Sequence, residues 1–272
     1  MAAERRKPVR ARPAVGRSPE QQRYDGPELP ADISGRELDR SVRQQLRSLP
    51  DKVATRVARH LVAAGRLLDA DPETAYQHTR AAQLRASRLA VIREACGEAA
   101  YLAGHYAEAL AELRAARRMN GAVDYLPLMA DCERALGKPT RALALAKEPG
   151  TRLLDQSGRV EMLIVAAGAR LDLGQPEMAA RLLEVNDLNS RERAPWVARL
   201  RYAYAEALLA GQREQDALEW FHRAAAVDGE QVTDAAERLS QLEGLNLIDV
   251  EGDHPDVDDR DCDEDLRTPG CS

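Results

Sequence analysis

The sequence predicts an all-α fold, and three observations support that prediction. Aromatic residues make up only 4% of the 272 residues, with a single Phe, whereas β-rich folds favour aromatic and β-branched side chains. Residues 97–116 have the pattern of a helix, a break at Gly104 and a second helix. Small residues recur along the chain at nearly constant intervals, so this helix pair is repeated. The chain is therefore expected to grow by stacking similar units rather than by enlarging one core.

The helix pair over 97–116 combines small and large residues in a specific order. Gly97 and Ala109 stand where two helix backbones would approach closely, and Tyr101, Tyr106 and Leu113 fill the space beside them. This pattern resembles the tetratricopeptide repeat (TPR), a helix–turn–helix unit of ~34 residues.

The packing alanine of the second helix has equivalents on both sides of Ala109. They are Ala75, Ala142, Ala179 and Ala217, and the successive intervals are 34, 33, 37 and 38 residues. The two longer intervals contain about one extra helical turn of ~3.6 residues. The resemblance to bacterial cytoplasmic TPR proteins covers roughly residues 56–230. It implies a right-handed α-solenoid of about five helix hairpins, with an extra helix at each end.

The helix before the first repeat is predicted over residues 34–49. Ser34 with Glu37 three residues later forms a capping-box pattern, and Pro50 ends the helix. Its apolar side consists of Leu38, Val42, Leu46 and Leu49. This helix is expected to cover the open face of the first repeat.

The repeats follow, and a last helix closes the solenoid. Asn120–Gly121 predicts a turn, and Pro195 suits the first turn of a helix. The final helix is predicted to begin with a cap at Thr233 and to shield the fifth repeat. The predicted ranges are 56–89, 90–122, 123–159, 160–194 and 195–230 for the repeats, and 232–243 for the final helix, within a solenoid of 31–246.

Two terminal segments of opposite charge flank the repeats. Residues 1–30 carry seven Lys and Arg against four acids, a net charge of +3, and include five prolines. Residues 247–272 carry ten acids against two arginines, a net charge of −8. Both have too few apolar residues to form a core, so both are expected to be disordered. The basic arm has two open interpretations, a solubilising segment or an electrostatic contact for nucleic acid or an acidic protein.

No pattern in the sequence predicts catalysis, a metal or a cofactor. Gly137-Lys-Pro-Thr resembles the end of a phosphate loop but lacks the preceding Gly, and the histidines are scattered singly. The acidic run from Asp261 lacks the Gly and Glu of a calcium loop. The basic N-terminus is not followed by the apolar region of a signal peptide, and no apolar run reaches the ~18 residues of a membrane span. Together with Cys262 and Cys271 in an exposed tail, this predicts a cytoplasmic protein that is not an enzyme.

The TPR resemblance also implies where a partner would bind. In that family the first helix of each unit lines the concave face, and the second lies on the convex side. The groove residues that follow from this correspondence are His60, Glu94, Glu98, Tyr101, Asp124, Asp131, Arg134, Glu161, Arg199, Tyr202 and Glu206. Six acids against two arginines predict an acidic groove, although ordinary solvated helix faces would give the same pattern.

The second helices are instead rich in arginine. Those expected on the convex side are Arg80, Arg85, Arg88, Arg114, Arg117, Arg118, Arg141, Arg181 and Arg223. Two functions therefore remain open at the level of sequence. The first is an interaction scaffold that binds a basic or amphipathic peptide or helix of a partner protein in its groove. The second is an RNA- or ribosome-associated factor that uses the convex arginines and the basic arm on phosphates. Neither involves a membrane, and neither fixes the oligomeric state.

Overall fold

The computed structural model describes residues 26–244, and this part of the chain is all-helical, with no strand. It contains twelve α-helices and two short 3₁₀ helices, Pro149–Leu153 and Asn186–Asn189. The α-helices are α1 (Arg40–Leu46), α2 (Asp51–Leu67), α3 (Pro72–Ala86), α4 (Ala90–Leu102), α5 (Tyr106–Asn120), α6 (Leu126–Ala135), α7 (Pro139–Ala146), α8 (Gln156–Asp172), α9 (Pro176–Leu183), α10 (Pro195–Ala210), α11 (Glu214–Ala225) and α12 (Ala235–Leu242).

Consecutive helices from α2 to α11 pack as five pairs. In each pair the first helix (α2, α4, α6, α8 or α10) contacts the second (α3, α5, α7, α9 or α11), and each pair contacts the next. The first helices α6, α8 and α10 also contact one another in succession, and α12 packs on α11. The buried apolar clusters are drawn from neighbouring pairs, as expected for a chain whose units contact mainly their neighbours.

The five packing alanines predicted from their spacing are all completely buried. Ala75, Ala109, Ala142, Ala179 and Ala217 each have 0% exposure, and each lies in the second helix of its pair. Small side chains at these positions let two helix backbones approach closely.

Gly97 makes the same kind of close contact from the first helix of the second pair. A Cβ atom at Gly97 would lie 2.7 Å from Cγ of Leu113, so the space beside this glycine is already filled. Gly97 is therefore required for the contact between α4 and α5.

Four of the five pairs turn with the same backbone motif. Gly104, Gly137, Gly174 and Gln212 each have a positive φ between 60° and 78°. The next residue donates its N–H to the carbonyl oxygen five residues earlier, at 2.8–3.0 Å in all four turns. This is the Schellman arrangement that ends helices, and glycine is its usual left-handed residue. The first pair differs, because its turn ends at Asp71, whose side chain caps α3 through the Thr74 N–H.

The first and last described helices, α1 and α12, begin later than the sequence predicted. Ser34 and Glu37 do bond to each other, yet Gly35 has φ +86° and the helix starts only at Arg40, capped by Asp39. Likewise Thr233 bonds to the carboxylate of Asp228 instead of capping a helix. The predicted ranges 34–49 and 232–243 are therefore too long, and the helices are α1 and α12.

Two first helices begin earlier than predicted. Helix α2 starts at Asp51, and α8 starts at Gln156, where the Asp155 carboxylate accepts the Gly158 N–H at 2.7 Å. The predicted starts at residues 56 and 160 lie close to the first apolar residues of each helix. The helices begin earlier, because the first turn of each is exposed to water and contains polar residues.

The N-terminal boundary predicted at residue 30 is too late, because residues 26–33 already pack along α2. Arg59 donates to the Pro30 carbonyl at 2.9 Å, and Arg66 forms an ion pair with Asp32 at 2.5 Å. Ile33 is buried against the same helix. The rest of the predicted basic arm, 1–25, and the predicted acidic tail, 247–272, lie outside the described residues.

Candidate functional site

Two adjoining cavities lie along the first helices. One, of about 910 Å³, is bounded by α6, α8, α10 and the region around α12. The other, of about 610 Å³, is bounded by α4, α6, α8 and α10, and both share Arg199. We call these two cavities together the acidic groove. Eight of the eleven residues predicted from the sequence line it, namely Tyr101, Asp124, Asp131, Arg134, Glu161, Arg199, Tyr202 and Glu206.

The spacing of these residues explains why they share one surface. On α10, Arg199, Tyr202 and Glu206 follow one another at intervals of three and four residues, which places them on one side of a helix. On α8, Glu161 is followed at the same kind of interval by Ile164. Because α6, α8 and α10 contact one another, these helix faces form a continuous lining.

Ion pairs tie each of these helices to its neighbour. Arg134 of α6 binds Asp131 at 2.9 Å and reaches Asp172 of α8 at 3.0 Å, with its guanidinium group packed over Gly168. Arg199 of α10 binds Glu161 of α8 at 2.6 Å. These contacts orient the groove side chains, and they neutralise part of its negative charge.

Helix α12 contributes a third such pair. Arg238 donates to Glu206 of α10 at 2.9 Å, so an ion pair joins α12 to the groove in the same way as α6, α8 and α10 are joined to one another. The sequence analysis assigned this helix a shielding role only. It did not anticipate that α12 supplies groove residues.

Tyrosine hydroxyl groups bind one carboxylate in the acidic groove and one beside it. Tyr101 donates to Asp131, and burial together with this bond raises the pKa of Tyr101. Tyr125, which is buried, donates to Glu94 at 2.8 Å and accepts from Asn120. Glu94 is therefore oriented by α6, although it lies on α4.

Glu98 is exposed to water yet closely surrounded by protein. Desolvation by the neighbouring helices, reinforced by the charge of Glu94, raises the pKa of Glu98 to about 7. Partial exposure does not prevent this shift, because the surrounding protein removes much of the water around the carboxyl group. Burial likewise raises the pKa of Glu161, although Arg199 opposes that shift.

The lining of the acidic groove carries a strong excess of negative charge. It contains seven carboxylates and two guanidinium groups. The carboxylates belong to Asp124, Asp131, Asp155, Glu161, Glu206, Asp234 and Glu237. Sequence reasoning missed Asp155, Asp234 and Glu237. Asp155 could have been found as the cap of α8, whereas the other two depend on how α12 packs.

The prediction that His60 lines the groove is wrong. His60 has 0% exposure, and its Nδ1 atom lies 3.0 Å from Nδ1 of His78, which is also buried. Gly26 packs against the His60 ring and Ala81, because residues 26–33 cover this side of α2. Glu94 and Glu98 are on α4 beside the groove and do not border either cavity.

Several of the arginines predicted on the convex side are already paired. Arg114 binds Glu133 at 2.5 Å, Arg117 binds Glu148 at 2.7 Å, and Arg223 binds Glu219. Arg80 lies over the ring of Tyr76, 5.7 Å from its centroid. Ion pairs with carboxylates reduce what these side chains could offer to phosphate groups.

Neither metal-binding side chains nor related proteins assign a further role to residues 26–244. Within residues 26–244, no group of three or more His, Cys, Asp or Glu side chains is placed to hold a metal ion. No helix in that range has both the length and the apolar character needed to cross a membrane. No protein-family model matches the sequence, and no curated protein is significantly similar to it.

Proposed function

We propose that this protein is a TPR-like scaffold whose acidic groove binds a basic or amphipathic segment of a partner protein. The observation that carries the proposal is the lining of seven carboxylates and two guanidinium groups, which belong to α6, α8, α10, α12 and the residues just before α6, α8 and α12. In this proposal the five helix pairs stack as a right-handed α-solenoid, and the first helices form its concave face. The buried alanines at repeat spacing and the shared turn motif support that arrangement.

The partner segment is expected to combine positive charge with apolar anchors. The groove carboxylates would pair with Lys and Arg, and complementary charge mainly selects the partner and speeds its encounter. Apolar side chains of the partner would pack on Ile164 and Leu171 and on the rings of Tyr101 and Tyr202, since aromatic residues often dominate binding energy. A helix or an extended peptide would satisfy these requirements.

The nucleic-acid alternative receives less support from the geometry. Phosphate binding needs cations that are free to replace condensed counterions. Arg114, Arg117 and Arg223 are held by carboxylates, so the convex side has fewer available cations than the sequence suggested.

A cytoplasmic location remains part of our proposal. Cys96 and Cys132 are free thiols, and free thiols are typical of a reducing compartment such as the cytoplasm.

Charge reversal in the groove tests this function. The probes are two fluorescent amphipathic helical peptides, one built from Leu and Lys and one from Leu and Glu, titrated by anisotropy at low salt. Asp124 and Glu237 suit reversal because both are exposed and neither forms an ion pair within residues 26–244. Glu192, an exposed acid in the loop before α10, is the matched control.

We expect the Leu/Lys peptide to bind more tightly than the Leu/Glu peptide. An exposed ion pair is worth roughly 0.2–1 kcal/mol, and a reversal removes that attraction and adds a repulsion of similar size, so each reversal should weaken binding about fivefold. Asp124→Lys and Glu237→Lys should each do so, whereas Glu192→Lys should not. Equal binding by all three variants would contradict a role for the groove.

A further inference from the structure

A separate pocket with an apolar floor lies between α7, α8 and α9. Its volume is about 330 Å³, and the 3₁₀ helix Pro149–Leu153 forms one of its walls. The floor consists of Leu143, Met162, Leu163, Ala166 and Leu182. The pocket uses Leu163 and Ala166 of α8, whereas the acidic groove uses Ile164 and Ala167, so the two sites lie on different sides of one helix. We call this second site the cationic pocket.

The rim of the cationic pocket carries four cationic side chains. They are Lys147, Arg152, Arg159 and Arg170, and no carboxylate of residues 26–244 lines the pocket with them. Arg159 donates to the Leu154 carbonyl and Arg170 donates to the Gln175 side chain, both at 2.7 Å. None of the four forms an ion pair with a carboxylate in the described part of the chain.

Arginines without an ion pair in residues 26–244, such as Arg118 and Arg141, also occur elsewhere on the surface, so what distinguishes this pocket is that four cations surround one apolar floor. Nine arginines elsewhere in residues 26–244 are paired with carboxylates of the same range: Arg66, Arg93, Arg114, Arg117, Arg134, Arg199, Arg213, Arg223 and Arg238. Four cations around one apolar floor, without a counter-charge, repel one another. A bound anion would relieve that repulsion.

We propose that the cationic pocket binds a small amphiphilic organic phosphate, a ligand with a compact apolar body and an anionic head. Small-ligand sites have volumes of about 300–1,000 Å³, so this pocket is large enough for such a body and too small for a helix. The apolar body would lie on Leu143, Leu163 and Leu182. The head group would bind at the rim, where Arg can offer two parallel N–H donors and Lys a point charge.

Phosphate fits this rim better than a neutral or singly charged head group. A phosphate monoester carries between one and two negative charges at neutral pH and three acceptor oxygens. Several cations can therefore share it. This site is independent of the acidic groove, whose charge has the opposite sign, and either proposal can fail without the other.

Calorimetric titration of the full chain with alkyl phosphates tests the proposal. The probes are butyl, hexyl and decyl phosphate below their micellar concentrations, with inorganic phosphate and hexanol as controls. Each methylene group that becomes fully buried should tighten binding about fourfold until the pocket is full. Inorganic phosphate and hexanol should each bind at least tenfold more weakly than hexyl phosphate. Inorganic phosphate lacks the apolar body, and hexanol lacks the anionic head group.

Two charge reversals locate the binding site. Lys147 and Arg152 are exposed and form no hydrogen bond through their side chains within residues 26–244, so replacing them should leave the fold intact. Lys147→Glu and Arg152→Glu should each weaken hexyl phosphate binding at least tenfold. Arg181→Glu, an exposed arginine on α9 outside the pocket, should leave binding unchanged.

Three results would overturn the proposal. One is an affinity that does not depend on alkyl length, and another is binding unaffected by both reversals. The third is a preference for an acidic peptide. A synthetic peptide of residues 245–259, which carries six acids and several apolar side chains, serves as that competitor. If it binds the pocket and no alkyl phosphate does, the site takes acidic protein segments instead.

Discussion

Removing the guanidinium group of Arg114 should destabilise the protein strongly. Its partner Glu133 has a side chain that is only 1% exposed, and the Arg114 Nη2 atom lies 2.5 Å from Glu133 Oε1. The other carboxylate oxygen, Oε2, has no hydrogen-bond partner within residues 26–244. Arg114→Met would therefore leave a buried carboxylate without compensation.

The expected loss of stability in Arg114→Met follows from the burial of the two partners. Breaking a buried ion pair by removing one partner typically costs about 3–5 kcal/mol. The Arg114 side chain is 43% exposed, so water reaches one end of the pair and the lower end of that range applies, about 3 kcal/mol. For a domain of this size each 1 kcal/mol lowers Tm by about 2–4 °C, which gives a fall of about 6–12 °C.

Thermal and urea unfolding followed by circular dichroism measure this effect. The double variant Arg114→Met/Glu133→Met replaces both charges with apolar side chains of similar size and should recover most of the lost stability. Arg118→Met, an exposed arginine on the same helix, is the matched control and should change Tm little. If Arg114→Met unfolds at the temperature of the wild-type protein, the ion pair is not what stabilises Glu133.

Three further changes have predictable effects on stability. Gln212→Gly should raise the free energy of unfolding by about 1–2 kcal/mol, because a left-handed backbone strains a residue with a Cβ atom. Gly97→Ala should lower it by about 1–3 kcal/mol, since the added methyl group would overlap Leu113. Glu98→Gln should raise Tm at pH 8 and leave it unchanged below pH 4.5. The folded pKa of about 7 exceeds the ordinary 4.5, so the carboxyl costs stability as pH rises through that interval.

Each of these changes has its own control. Gly174→Gln makes the opposite change at the equivalent turn and should lower the free energy of unfolding by a similar amount. If the two variants have equal Tm values, the turns do not share one motif. Gly65→Ala, on an exposed helix position with no atom within 4 Å of the added methyl group, should not lower Tm. A benefit of Glu98→Gln that is the same at pH 4 and pH 8 would show that desolvation of the carboxylate is not its cause.

The regular part of the fold could be predicted because it depends on local sequence. The buried alanines and the turn glycines recur at nearly constant intervals. A small side chain is required where two helices approach closely, and a residue that adopts a left-handed backbone is required at the turns. Gln212 was not predictable as a left-handed residue, since nothing in its side chain favours that conformation. The predicted starts of α1 and α12 were wrong for two reasons. The left-handed backbone at Gly35 interrupts the first predicted turn, and the Asp228 carboxylate binds Thr233, the predicted cap.

The groove residues were predicted through the TPR resemblance. It assigned Glu161, Arg199 and Tyr202 to one surface, and the spacing along α10 agrees with that assignment, but pairing between helices is a tertiary property. The contacts of Arg238 with Glu206 and of Arg114 with Glu133 therefore have no signal in the sequence. His60 was misplaced because residues 26–33, which have no helical pattern, cover that side of α2.

The pairing of Arg114 also decides how the nucleic-acid alternative should be tested. Arg114→Glu would place a second carboxylate beside buried Glu133, so a loss of binding could arise from unfolding alone. Arg118 and Arg141 are exposed and form no ion pair within residues 26–244. Reversing those two charges tests the surface of the second helices without disturbing the fold.

Hydrogen–deuterium exchange of the full chain, with and without the Leu/Lys peptide, tests the central claim most directly. Our account predicts that the peptide slows exchange in α6, α8, α10 and α12, which line the acidic groove, and that Asp124→Lys/Glu237→Lys abolishes the effect. Protection confined to α5, α7 and α9, or protection lost in Arg118→Glu/Arg141→Glu while the groove reversals leave it intact, would contradict the account.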